Sequence, residues 1–140
     1  MILAANLDPV RVAEDYRAKF ASYGHGRESR VGAAWHVNVG KTSQGAREPR
    51  YRACFDLMTQ RGNRAQSTPF PGPPLDFDHV TTHGPAMVGS PAEVADRLNR
   101  AAEMLAADTH LVSPTMGGCP AGEFADLVEL IVAEVIPQLK

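Results

Sequence analysis

The sequence predicts an α/β protein with a parallel sheet, built as a single domain over residues 1–140. Its patterns alternate in the order helix, strand, helix, long loop, strand, helix, strand, helix, which is typical of βαβ crossovers. Residues 31–39, VGAAWHVNV, are mostly apolar on both faces, as a central parallel strand requires. Two of the helical patterns begin with clear capping residues, which supports the order of elements.

Composition and charge exclude several classes of protein. Apolar residues make up 44% of the chain and charged residues 21%, so the chain is globular rather than disordered. A net charge of −2 gives no general attraction to nucleic acid. No apolar run approaches the roughly 18 residues of a membrane span. The N-terminus lacks a secretory pattern, and Cys54 and Cys119 are expected to be free thiols, so we expect a cytoplasmic protein.

The first half of the chain predicts a helix, a strand and a second helix. Asp8-Pro9 is typical of a capped helix start, and the helix is expected to end near Tyr23-Gly24. After the strand at residues 31–39, a helix is predicted over about residues 46–60. The apolar stripe of the first helix is Val12, Tyr16 and Phe20, and that of the second is Tyr51, Phe55 and Met58.

A long segment over about residues 61–85 is rich in proline and glycine. We expect no regular element in it. Loops of this length inside a compact domain are usually functional or disordered.

The second half of the chain has the clearest signals for the ends of helices and strands. AMVG (residues 86–89) predicts a short strand, and Ser90, Pro91 and Glu93 predict a capping box that opens a helix. THLVSP (109–114) predicts a strand, TMGGCPAG (115–122) a glycine-rich turn, and residues 122–139 a final helix. The inward-facing residues are expected to be Val94, Leu98, Ala102 and Leu105 in the first of these helices, and Phe124, Leu127, Val128, Ile131 and Val135 in the last.

Three of these stretches together resemble a known family. VGSPAEVADRL (88–98), HLVSPTMGGCP (110–120) and the closing EVIPQLK (134–140) resemble, in order and spacing, the C-terminal end of bacterial luciferase-like monooxygenases. DPVRVAEDYRAKF (8–20) and VGAAWHVNVGKT (31–42) are similar to the helix before the sixth strand of that family and to the sixth strand itself. The turn at residues 89–94 corresponds to the one after the seventh strand.

The resemblance implies a partial (β/α)8 TIM barrel of luciferase-like type, with about three parallel strands and flanking helices. A complete barrel has eight strands and about 250 residues, so the first five strands are absent from this chain. The cofactor is expected to be FMN or F420. The activity would be oxidation of a small organic substrate by O₂ with reduced FMN, or hydride transfer with F420. Some relatives carry an arginine two positions before the strand histidine, where this chain has Ala34.

His36 is the candidate catalytic residue. On a parallel strand it can point into a barrel mouth and polarise a flavin or substrate oxygen. The alternative is a hydrogen-bonded histidine packed between strand and helix. Gly89 and Ser90 could present backbone N–H groups to a cofactor phosphate, but ordinary helix capping also explains them and is favoured.

Ser113, Gly117 and Gly118 are the remaining candidate cofactor-binding residues, because they lie where the last strand would open onto the mouth of the barrel, and glycines there permit close approach of the backbone to a ligand. A tight turn explains the glycines equally well. His79 and His83 have a metal-ligand spacing, and Asp76 and Asp78 could add oxygen ligands, but no helix is predicted to align the histidines. The usual closed set of nitrogen and sulfur ligands is also missing, so we expect a solvated loop and no metal site. A basic cluster is interpreted as the solvated face of a helix and its exit, and the alternative is binding of an anion or a cofactor tail; its members are Arg47, Arg50, Arg52, Arg61 and Arg64.

Three strands of a barrel leave two sheet edges and an uncovered inner face, so we expect a homo-oligomer or a partner subunit that completes the barrel. An alternative to the enzyme is a non-catalytic remnant that serves oligomerisation or partner binding. A generic nucleotide-binding βαβ module ranks last, because no G-x-G-x-x-G follows a strand.

Overall fold

The computed structural model describes residues 8–47, 52, 77–84, 86–114 and 121–140. Helix α1, Pro9–Ser22, begins as predicted: the Asp8 carboxylate accepts hydrogen bonds from the N–H groups of Val10 and Arg11. Tyr23 caps its end, and Gly24 follows with a φ of 61° that glycine adopts without strain. The predicted start and end of this helix are confirmed.

Three strands form one parallel sheet. They are β1, Gly32–Val39; β2, Ala86–Gly89; and β3, Thr109–Ser113. The spatial order is β2-β1-β3, with both neighbours parallel to β1. The α/β class, the parallel sheet and the central position of the first strand are therefore confirmed.

The strand order corrects one prediction. Consecutive strands of a (β/α)8 barrel are neighbours, so a sixth, seventh and eighth strand would lie in the order β1-β2-β3. In the sheet, β3 pairs instead with β1, from Gly32↔Thr109 to His36↔Ser113. The pairing of β1 with β2 agrees with their assignment as the sixth and seventh strands. The expectation that β3 lies beside β2 as the next barrel strand is wrong, because strand pairing is a long-range property that local patterns do not carry.

Two short helices differ from the predictions. Helix α2, Ser43–Ala46, was not predicted: it shares only Ala46 with the predicted helix at 46–60, and the Thr42 hydroxyl accepts from the Gly45 N–H at its start. Most of the predicted helix at 46–60, including its apolar stripe, lies outside the described residues. Helix α3, Phe77–His83, falls where no regular element was predicted. Its spacing of buried residues is helical, and the surrounding prolines concealed it.

Helix α4, Pro91–Leu105, opens on the predicted capping box and ends at Ala106, which has a φ of 44°. The guanidinium of Arg17 donates to the carbonyl oxygens of Leu105 and Ala106 and so ties α1 to the end of α4. Helix α5, Ala121–Leu130, continues as a π-helical turn, Ile131–Val135, and a 3-10 turn, Ile136–Gln138. The turn at residues 115–120 lies outside the described residues.

The main core lies between the sheet, α4 and the C-terminal helix. Its buried members are Val37, Val39, Met87, Val94, Ala95, Leu98, Ala101, Ile131 and Val135. The predicted stripes hold in part: Ala102 is half-buried, and Phe124 is 39% exposed, so its inward orientation was wrong. None of the described helices is long and apolar enough to cross a membrane.

Candidate functional site

Strand β1 separates two chemically different faces of the sheet. Side chains alternate along a strand, so Trp35, Val37 and Val39 share one face, which α4 and the C-terminal helix pack against. We call this the covered face. The opposite, open face carries Ala34, His36 and Asn38 of β1, and Leu111 and Ser113 of β3 by the strand register. Leu111 is 60% exposed.

His36 lies on the open face, and Ser113 is its direct partner on β3. Neighbouring strands run about 4.8 Å apart, so the structure brings these two predicted site residues together. The Nδ1 atom of His36 is buried and has no hydrogen-bond partner within the described part of the chain. A ring nitrogen of this kind can donate to or accept from a ligand oxygen, depending on its tautomer.

Asn38 is a polar residue of the open face that the sequence analysis missed. It lies two positions after His36, and its side-chain amide donates to the carbonyl oxygen of Ala46 at 2.7 Å. This bond fixes α2 beside the end of β1. Gly40 permits the same close approach, since a Cβ there would lie 2.6 Å from the Ala46 nitrogen. The period-two pattern of the strand would have identified Asn38 as a neighbour of His36.

Gly89 and Ser90 lie at the end of β2, where Glu93 occupies the start of α4. The Glu93 carboxylate accepts hydrogen bonds from the Ser90 N–H at 2.8 Å and from the Ser43 hydroxyl at 2.7 Å. The hydrogen bond from Ser43, followed by those from Ser90, lowers the pKa of Glu93. The predicted capping box is confirmed, and Ser43 extends it to the segment after β1.

This capping network decides what the start of α4 can bind. The Ser90 N–H already donates to a carboxylate, and a Cβ at Gly89 would lie 2.7 Å from the Glu93 Oε2. A phosphate at the same place would meet that negative charge and would have to displace it. The residues described here therefore do not fit a cofactor phosphate at Gly89-Ser90, although they do present polar groups at the end of β1 and β3.

The covered face holds a second histidine, in contact with the protein's single tryptophan. The indole N–H of Trp35 donates to Nδ1 of His110 at 2.8 Å, which joins β1 to β3. Nε2 of His110 is buried without a partner in the described ranges. Burial lowers the pKa of His110, so the ring accepts from Trp35 as a neutral imidazole.

The other predicted candidates, apart from two arginines of the basic cluster, lie on helix α3 or outside the described residues. His79 and His83 lie on the exposed side of α3, so the expectation that no helix aligns them was wrong. Within the described residues there is no group of three or more His, Cys, Asp or Glu side chains that could hold a metal. Several candidates lie outside the described residues: Cys54, Cys119, Gly117, Gly118, Asp76, Arg50, Arg61 and Arg64.

Two members of the predicted basic cluster are described. Arg47 is 3.8 Å from the carboxylate of Asp78, and the guanidinium of Arg52 lies 5.2 Å from the centroid of the Phe77 ring. Both arginines are exposed. This agrees with the interpretation of a solvated surface for these two residues.

Comparison with known proteins gives matches at the level of structure. No protein-family model matches the chain, and no curated protein does. The monooxygenase RslO1 from Streptomyces bottropensis superposes with a TM-score of 0.69 at 19% identity, covering 97% of this chain and 40% of its own. A second match is the oxygenating constituent of 3,6-diketocamphane monooxygenase from Pseudomonas putida, a type II Baeyer-Villiger enzyme solved with FMN. Its TM-score is 0.65 at 22% identity, and the match covers 99% of this chain and 42% of that enzyme chain.

A third solved structure, the EDTA monooxygenase EmoA from Chelativorans sp. BNC1, gives a TM-score of 0.62 at 17% identity, covering 98% of this chain and 40% of its own. The present chain thus spans about two fifths of the length of these relatives. They are luciferase-like barrel enzymes. The structure of this chain is similar to part of the luciferase-like flavin monooxygenase fold.

Proposed function

We propose that this chain forms the carboxyl-terminal part of a flavin-dependent, luciferase-like monooxygenase, and that its open face forms one wall of the active site. The observation that carries the proposal is the position of His36. It lies beside Ser113 on the open face, with a buried ring nitrogen that lacks a partner among the described residues. The similarity in fold to monooxygenases, one of them solved with FMN, supports the same proposal.

The strand order suggests how the chain fits a barrel. We assign β1 and β3 as consecutive barrel strands, because they are parallel neighbours paired over five residues. Strand β2 pairs only with the second half of β1, from His36 to Val39. It is therefore an accessory strand on the other side of β1, and the helix that follows it returns the chain to β3.

In this assignment His36 is the catalytic residue, and Ser113 lies beside it. His36 would donate a hydrogen bond from Nδ1 to a substrate or cofactor oxygen, or hold its proton at that nitrogen. Reduced FMN would supply the electrons for activation of O₂; F420, the alternative, would supply a hydride. Gly117 and Gly118 remain candidate cofactor residues. The phosphate of the cofactor is expected away from Gly89-Ser90, where Glu93 already lies.

The barrel must be completed by further strands. Leu111, on the open face, is 60% exposed, so β3 presents an apolar side chain that further barrel strands would bury. We propose that a partner segment supplies the missing strands, either a second copy of this chain or a separate subunit. A cytoplasmic location is part of the same proposal.

The test is a titration of the purified chain with FMN and with F420, each oxidised and reduced, followed by cofactor fluorescence and run beside light scattering. We expect saturable binding by an oligomeric species. His36→Ala should weaken cofactor binding or abolish turnover, and light scattering of the variant separates this loss from any change in oligomeric state. His25→Ala, an exposed histidine elsewhere on the chain, is the matched control.

Two results would contradict the proposal. One is the absence of binding at high micromolar cofactor in an oligomeric preparation. The other is equal binding and turnover by the His36→Ala and His25→Ala variants. A clean monomer in light scattering would contradict the expected partner instead, and cofactor binding by that monomer would leave the catalytic assignment standing.

A further inference from the structure

Helix α3 carries two histidines at a spacing of four residues. His79 and His83 are both exposed, and their ring centroids lie 5.1 Å apart with 33° between the ring planes. Residues four apart in a helix lie on the same face, one turn above the other. The two rings therefore lie next to each other on the same face of the helix.

The opposite side of α3 anchors the helix to the protein. Phe77, Val80 and Thr81 are buried, and Phe77 and Val80 form a small cluster with Ala86. The Thr81 hydroxyl donates to the Phe77 carbonyl oxygen at 2.8 Å. Because the buried side is fixed in this way, the histidine pair stands on a helix that is held in place by tertiary packing.

The end of α3 is held as well. The guanidinium of Arg97, on α4, donates to the carbonyl oxygens of Thr81 and Gly84 and to that of Ala86 at the start of β2. The carbonyls of Thr81 and Gly84 lie in the last turn of α3 and directly after it, where helix carbonyls lack partners of their own. This contact keeps the last turn helical, so it preserves the spacing of His79 and His83.

We propose that His79 and His83 together bind one divalent transition-metal ion, such as Zn²⁺, Ni²⁺ or Cu²⁺, with water in the remaining coordination positions. Imidazole is a preferred ligand of these ions. A Zn–N bond of about 2.0–2.1 Å at a tetrahedral angle places two imidazole centroids roughly 5 Å apart, which matches the observed separation. The site is independent of the proposed flavin chemistry.

The surroundings set the expected strength of this site. Two imidazoles are fewer protein ligands than a closed structural zinc site has, and His79 takes part in a further contact that the metal must accommodate. The nearby carboxylate of Asp78 is already paired with Arg47. We therefore expect an exchangeable, solvent-open site that holds metal more weakly than a four-ligand site.

The test is isothermal titration calorimetry of the full chain with Ni²⁺ and with Zn²⁺ in a buffer that does not chelate metals. We expect one ion per chain, and a loss of affinity of at least about tenfold in each of His79→Ala and His83→Ala, since each variant removes one of two ligands. His25→Ala should bind metal as the wild type does. All three positions are exposed, so the variants should fold.

A second measurement uses thermal stability. A metal that binds only the folded chain raises the melting temperature in a concentration-dependent way, and this shift should occur in the wild type and in His25→Ala but not in the two α3 variants. The proposal is overturned if no ion binds at millimolar concentration. It is equally overturned if either α3 variant retains wild-type affinity, because the pair is then not the ligand set.

Discussion

The two faces of strand β1 differ in how completely this chain buries them. On the covered face, Val37 is 1% exposed and Val39 6%, under α4 and the C-terminal helix. On the open face, His36 and Asn38 are half-buried, and Leu111 of the neighbouring strand is 60% exposed. Alternate residues of one strand thus pack into the core of the chain, and the residues between them place polar side chains on the open face.

This difference supports the proposal that the covered face serves stability and the open face serves function. A strand that belonged only to a two-layer α/β core would bury apolar side chains on one face and solvate simple polar ones on the other. Here the open face combines an exposed leucine with a histidine that has a buried, unpartnered nitrogen in the described part of the chain. That combination is typical of a surface that another segment or a ligand covers.

The largest expected effect contrasts a leucine from each face. Leu98 is 2% exposed in the core beneath the covered face, so Leu98→Ala should destabilise the chain by about 2–5 kcal/mol through lost burial and a cavity. Leu111→Ala should change the free energy of unfolding by less than about 0.5 kcal/mol. Urea denaturation of both variants measures the contrast.

Repeating the measurement at several protein concentrations tests whether a second copy covers the open face. If a second copy covers the open face, Leu111→Ala should weaken association and appear only in the concentration dependence of light scattering and of the unfolding midpoint. Equal destabilisation of a dilute, monomeric sample by the two substitutions would contradict the view that this chain buries one face and leaves the other exposed.

The sequence predicted the local elements better than the contacts between them, and the reason is physical. The strand at 86–89 and the box of Ser90 and Glu93 depend on neighbours within a few residues, so local patterns contain them. The pairing of β3 with β1 and the contact from Asn38 to Ala46 depend on how distant or separately folded segments meet. Helix α3 was missed because flanking prolines outweighed its short helical spacing.

A smaller effect is expected where the strands end. Gly89→Ala places a Cβ 2.7 Å from the Glu93 Oε2 and forces that side chain out of the capping box. The Ser90 hydroxyl still caps the helix, so losing the Glu93 half of the box should cost less than the loss of a whole N-cap, about 1 kcal/mol. Thermal or urea unfolding can measure this cost. In a Glu93→Ala background the added methyl has room, so the same substitution should then cost less. An equal cost in both backgrounds would mean that Gly89 is required for another reason.

The smallest expected effect is a change in the pH dependence of stability, and it belongs to the covered face. Burial lowers the pKa of His110 below its ordinary value of about 6.5. Above that pH both the folded and the unfolded chain hold a neutral ring, and the stabilising contact with Trp35 is fully present. As the pH falls through the unfolded value, the unfolded chain binds a proton that the folded chain resists, so stability is lost until the folded pKa is passed.

His110→Gln isolates this contribution, because a glutamine oxygen can still accept from the Trp35 indole but does not titrate. Unfolding followed by the fluorescence of the single tryptophan, between pH 8 and pH 5, should show the wild type losing more stability than the variant. Other groups titrate in both chains alike, so the difference between the two curves belongs to His110. Parallel curves would mean that His110 is as free to take a proton in the folded chain as in the unfolded one, and the covered face would then be open to water at β3.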